Sequence, residues 1–159
     1  MSIAVIAVGK LREKPYREMA DEYLKRLSRL GRVEEIELND LPEPAVTSEA
    51  IEEQIRRKEG EAILQKLKPG DHVIAMTIPG RQHSSPELAE KLEQHRLRGV
   101  PRTVFIIGGS LGLGKNVLEC ADEEMSMSRM TFPHQLARVM LLEQLYRAAK
   151  ITAGEKYHK

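Results

Sequence analysis

Cys120 is the only cysteine in 159 residues, so no internal disulfide framework can staple this fold, and the chain is expected to live in a reducing, cytoplasmic compartment. With no metal-ligand spacing around it, that thiol reads as a small buried hydrophobe. An excess of charge is also missing. The 25 Lys plus Arg against 24 Asp plus Glu leave +1, which neither demands a nucleic-acid partner nor excludes one that meets a local basic surface. No stretch approaches the ~20 apolar residues of a membrane span. The first apolar run stops at Val8 without a basic leader or cleavage pattern. Internal repeats and low-complexity tracts are absent too. What remains, with 41% hydrophobic residues, is the composition of one globular domain over residues 1–159.

Strands and helices alternate along the chain. Ile3 to Val8 reads as a strand closed by Gly9, and Tyr16, Met19, Ala20, Tyr23, Leu27 and Leu30 recur at helical spacing after it. Val33 to Leu38 is a second strand with Ile36 and Leu38 on one face. A helix from about Ser48 carries Ile51, Ile55, Ala62, Ile63 and Leu67, and the charges between them form a solvated face. Val73 to Ile78 is a third strand, ended by Pro79-Gly80. Ser84 and Glu87 have capping-box spacing before a helix with Leu88, Leu92 and Leu97. A short helix is expected around Val117 to Ala121, a polar segment from Met125 to Met130, and a last helix from Pro133 to about Ile151. This pattern predicts an α/β fold around a largely parallel sheet. The last helix is apolar on more than one stripe, which fits burial against both the sheet and a second subunit.

The most telling segment begins at Val104. Val104, Phe105, Ile106 and Ile107 form a bulky, continuous apolar run, as in a strand buried on both faces. Gly108, Gly109, Gly112 and Gly114 follow within seven positions, so backbone can approach a ligand, although a loop that only turns tightly would look alike. Ligands of parallel sheets sit at the carboxyl ends of the strands, so this loop and Thr77 to Arg81 should border one pocket. Gly109 through Lys115 matches most of a phosphate-binding loop, but Asn116 stands where the metal-binding hydroxyl belongs. No G-x-G-x-x-G follows the first strand, as a dinucleotide fold would require.

VFIIGGSLGL, SMSRMTFPHQLARVMLLEQLYRA and the terminal GEKYHK closely resemble the ribosomal large subunit methyltransferase H family of knotted SPOUT methyltransferases. IAVGKLREKPY and PGRQHSS extend the likeness over nearly the whole chain. The resemblance implies a trefoil-knotted homodimer that binds S-adenosylmethionine and methylates N3 of a pseudouridine in 23S rRNA of the assembled ribosome. It also implies cofactor contacts at Met76, Gly108, Met127, Ser128, Arg129, Met130, Thr131 and Phe132, and Gly109 can join them as backbone that admits the nucleoside. Relatives commonly carry Leu in place of Met76.

Methyl transfer from a sulfonium needs no metal, only a positioned acceptor and an outlet for the N3 proton. His134, at the start of the last helix, can accept a proton or serve as a local cap. Arg147 can stabilise an imidate, and Arg138 can hold RNA phosphate, or either can pair with a carboxylate such as Glu143. The family's terminal Tyr-His pair, here Tyr157 and His158, is thought to reach the active site, where it would stack on the base and take the proton. Lys10, Arg12 and Lys14, with Arg17, Lys25 and Arg26 nearby, offer a basic surface for RNA. A ribosome-binding module without catalysis and a magnesium-dependent nucleotidase remain the competing readings.

Overall fold

The computed structural model describes Met1–Lys159 throughout. Ten elements follow in order: β1 (Ser2–Val8), α1 (Lys14–Leu27), β2 (Val33–Leu38), α2 (Glu49–Leu64), β3 (Asp71–Gln82), α3 (Ser85–Leu97), β4 (Arg102–Ile107), α4 (Lys115–Cys120), β5 (Glu123–Ser126) and α5 (His134–Thr152). The strands form one sheet in the order β2-β1-β4-β3-β5, and every pairing is parallel. The α/β fold with a parallel sheet is therefore as the sequence pattern predicts.

Strands covered on both faces read as unbroken apolar runs, and β4 is buried at all six positions. Its alternate side chains feed two cores. Phe105 and Ile107 join Ala20 and Leu27 of α1, Leu88 and Leu92 of α3, and Leu141, Leu142 and Leu145 of α5. Val104 and Ile106 meet Ile63 of α2 and Val117 of α4 on the other face. Ser48 caps α2 by accepting from the Ile51 amide, and the capping box at Ser84 and Glu87 opens α3.

Alternation in β2 has a second outcome. Ile36 and Leu38 pack into the smaller core, which turns Glu35 and Glu37 toward the face that carries α1 and α5. Arg17 of α1 and Arg138 of α5 answer them: Arg17 lies 2.8 Å from Glu35 and Arg138 lies 2.6 Å from Glu37.

Several expectations need correction. Pro79-Gly80 does not end β3, which runs on to Gln82. Pairing with β5 instead breaks between Met76 and Arg81, so Pro79, which has no N–H to donate, sits where no ladder partner is needed. Gly80 allows the close approach there, since a Cβ would come within 2.7 Å of the Met125 backbone. The polar segment expected from Met125 to Met130 begins inside β5 (Glu123–Ser126), an edge strand too short and too acidic to announce itself. Glu59 is not on a solvated face; it is buried and accepts from the Leu41 amide at 3.0 Å. Leu97 and Ile51 are exposed, and so is Cys120, which lies at the end of α4 outside both cores. Within one chain α5 buries a single face and leaves Leu136 and Met140 half-exposed along a second stripe, which keeps the expected burial against a second subunit open.

Candidate functional site

The carboxyl ends of β3, β4 and β5 open into a cavity of about 840 Å³, closed by the start of α5. That is within the range for small-molecule sites. Its floor is Ile107 and Met76, its sides are the loops 108–113 and 126–132, and His134 and Ala137 complete the rim. Met76, Gly108, Gly109, Met127, Ser128, Met130, Thr131 and Phe132 all line it, so eight of the nine expected cofactor residues converge. Arg129 alone does not reach the lining.

The glycine loop folds back on itself. Gly109 and Gly112 form an isolated bridge, and Gly112 adopts φ +79°, a conformation that side chains disfavour. A Cβ on Gly108 would lie 2.7 Å from the Gly112 carbonyl carbon. Gly108 thus makes room for the loop's own backbone and also lines the cavity. Ser110 is tied through its hydroxyl to Glu43.

The opposite loop is braced by serines. Ser126, 4% exposed, donates its hydroxyl to the Ser128 carbonyl at 2.8 Å and accepts from the Ser128 amide at 3.2 Å. Ser128 Oγ then accepts from the Met130 amide at 3.0 Å. Met130 and Ile78 stay exposed beside the cavity as uncovered apolar surface. Thr77 Oγ1 lies buried in the lining without a partner. A buried hydroxyl left unpaired is costly, and a polar ligand in the cavity would satisfy it. Neither Thr77 nor Ser126 carries a sequence signal beyond its place at a strand end.

The remaining candidates are elsewhere. Arg147, Tyr157 and His158 cluster on the carboxyl half of α5. Arg147 donates to Glu143 at 2.6 Å and lies 3.3 Å from His158 Nδ1. The Tyr157 hydroxyl donates to Glu143 at 3.2 Å, and its ring packs edge-on against Tyr146. Burial, then the Glu143 charge, pushes the Tyr157 phenol up, so it stays protonated. The Glu143 hydrogen bond raises Arg147 further, which fixes it as a cation. Glu143 organises this cluster, and its spacing of four from Arg147 was the only clue. Thirteen residues at 1.5 Å each separate His134 from Arg147, or about 20 Å along the helix.

Arg138 cannot serve as an RNA contact. It is 2% exposed, donates to the Gly9 carbonyl at 3.1 Å and to Glu37 at 2.6 Å, and reaches Glu35 at 3.5 Å. It braces β2 and the end of β1 against α5. Arg17 is similarly committed to Asp21, Glu35 and Glu37. Lys10, Arg12 and Lys14 are exposed, with only long ion pairs at 3.7 Å from Arg12 to Asp40 and from Lys14 to Glu18. The phosphate-loop reading loses its anchor, because Asn116 spends its side chain on the Arg57 carbonyl and the Val117 amide while Lys115 points to Glu53.

Comparison with known proteins agrees with this layout. Residues 1–158 match the sequence family described as "Predicted SPOUT methyltransferase". Proteins named ribosomal RNA large subunit methyltransferase H from Bifidobacterium animalis subsp. lactis (strain AD011) and Clostridium novyi (strain NT) are 50% and 51% identical over 159 residues, covering all of both chains. The counterpart from Carboxydothermus hydrogenoformans is 49% identical over the same span. In fold, the chain is similar to a solved structure of a probable methylase family protein from Haemophilus influenzae Rd KW20, with TM-score 0.54, 14% identity, and coverage of 99% of this chain and 70% of that one. A parallel sheet with its cavity at the strand ends, matched over its full length at half identity, leaves one assignment: the chain belongs to the ribosomal RNA large subunit methyltransferase H family of SPOUT methyltransferases.

Proposed function

We propose that the protein transfers a methyl group from S-adenosylmethionine to N3 of a pseudouridine in 23S rRNA of the assembled ribosome, and that it does so as a homodimer. The observation that carries this reading is the convergence of eight family cofactor positions on one cavity. Its apolar walls suit an adenine and a methionyl chain, and the unpaired Thr77 hydroxyl supplies a polar contact. When bound, S-adenosylmethionine supplies a methyl group already activated on a sulfonium.

The chain's own residues must then orient the base and receive one proton. Arg147 is a fixed cation suited to the imidate that forms when N3 is deprotonated. Tyr157, held protonated, stacks and donates. Arg147 donates to His158 Nδ1, so a neutral His158 in this arrangement carries its proton on Nε2. It becomes a base only when Arg147 releases it. His134, at the cavity rim, is the alternative acceptor.

Arg147 lies about 20 Å along α5 from His134 at the cavity rim, while Glu143, which holds the cluster, faces a smaller pocket that shares Met76, Ser126 and Met127 with the cavity. A second copy laid antiparallel along the half-exposed Leu136 and Met140 stripe would bring one chain's tail to the other's cavity. Lys10, Arg12 and Lys14 then serve as phosphate contacts.

The test is mass-spectrometric mapping of 23S rRNA after pure protein and labelled S-adenosylmethionine act on ribosomes from cells lacking the protein. Labelled N3-methylpseudouridine is the expected product. Cofactor binding without label would redirect the search to another acceptor, and absence of both would leave a non-catalytic ribosome-binding module.

A further inference from the structure

His72, His95 and Glu123 meet at the amino-terminal end of the sheet, the end opposite the cavity. His72 is the second residue of β3, Glu123 opens β5, and His95 comes down from the last turn of α3. One ligand-capable atom from each lies within 4.8 Å of the others. His72 Nε2 and Glu123 Oε1 are 3.4 Å apart, the separation of two donors at tetrahedral angles on a metal with bonds of about 2.1 Å. The two imidazoles face each other with centroids 4.2 Å apart and rings inclined at 48°.

The surrounding hydrogen bonds prepare these atoms for a cation. The Thr103 hydroxyl donates to Met1 Sδ at 3.4 Å, so its oxygen is free to accept from His95 Nδ1 at 3.0 Å. In that arrangement Nδ1 carries the proton and the Nε2 lone pair is left for a metal, as an outer partner arranges for a ligating histidine. Lys91 bonds Glu123 through Oε2 at 2.8 Å. It keeps the carboxylate ionised and aimed while Oε1 stays turned to His72. Two imidazoles and one carboxylate form a donor set suited to zinc and its neighbours, and poor for calcium or magnesium, which take oxygen.

The geometry points to a binding site for a divalent transition metal of the zinc class, held by His72, His95 and Glu123 with water as the fourth ligand. It would tie α3 and β3 to β5, whose carboxyl end is Ser126, the brace of the cavity loop. No methyl-transfer chemistry is assigned to it, and it stands whether or not the proposed reaction does.

Cobalt(II) titration of chelator-stripped, full-length protein tests the site. The expected result is one cobalt per chain, visible absorption of four-coordinate strength, and a Tm that rises with added zinc. His72→Gln, on a half-buried side chain, and His95→Ala should each abolish the absorption and the Tm rise, while metal-free far-UV dichroism of at least His72→Gln stays that of the parent. A triple variant at His83, His134 and His158 should keep both signals. Absence of cobalt absorption in the parent would overturn the proposal, as would absorption that survives His72→Gln and His95→Ala or disappears in the triple variant.

Discussion

Tyr157 donates its hydroxyl to Glu143 across 3.2 Å, and that bond anchors the C-terminal tail to the half of α5 that lies away from the cavity. Removing residues after Lys156 should leave S-adenosylmethionine binding within about twofold by calorimetry and lower the rate of methyl transfer at least ~100-fold, the scale of a lost acid–base group. Unchanged turnover would remove Tyr157 and His158 from the reaction.

The Gly108→Ala variant tests the loop itself. Its new Cβ would press on the Gly112 backbone at 2.7 and 2.9 Å, and backbone cannot yield as the Leu113 side chain beside it could. Cofactor affinity should fall by tenfold or more in calorimetry while the global fold, read by far-UV dichroism, is kept.

Arg138 and the surface cations should separate cleanly. Arg138→Ala removes one of the two cations that hold Glu35 and Glu37, with Arg17 remaining at 2.8 and 3.2 Å, so denaturant melts should show a loss below the about 3–5 kcal/mol of a buried charge left wholly unpaired. Neutralising Lys10, Arg12 and Lys14 together should leave stability unchanged, weaken ribosome binding and flatten its salt dependence. An unaltered salt slope would place the RNA elsewhere.

Asp71 and Arg102 predict the acid limb of stability. Burial alone would raise the Asp71 pKa, but the Arg102 hydrogen bonds and the Lys68 amide outweigh it and hold the carboxyl below its ordinary value. A carboxyl depressed in the folded state stabilises the fold above its unfolded pKa, about 3.9, and that contribution fades as pH falls through the lower folded value. Asp71→Asn should therefore lower Tm at pH 7 and shrink the difference between parent and variant below about pH 4.

The sequence was most readable where one physical requirement acted alone. Burial on both faces made β4 an unbroken apolar run, and the Ser84 and Glu87 pair marked a helix start by its own hydrogen bonds. It was least readable where partners distant in the chain decide. Four residues of β5, two of them Glu, form a strand only because β3 lies beside them. Arg138 looks like any helical arginine until β2 turns Glu35 and Glu37 toward it. The cavity's loops were legible from glycines and family motifs, whereas the orphaned Thr77 hydroxyl and the serine brace depend on geometry no spacing encodes.

One pairing also governs when the molecule can be built. β1 lies between β2 and β4, and its second edge pairs Ser2 with Arg102 and Ala7 with Ile107. During synthesis that edge stays open until the segment a hundred residues downstream has left the ribosomal tunnel. Nascent chains thus carry an apolar strand, Ile3 to Val8, with unpaired amides and carbonyls for most of their translation. Slow elongation before residue 107, or crowding of polysomes, would favour association between neighbouring nascent chains over productive closure of the sheet.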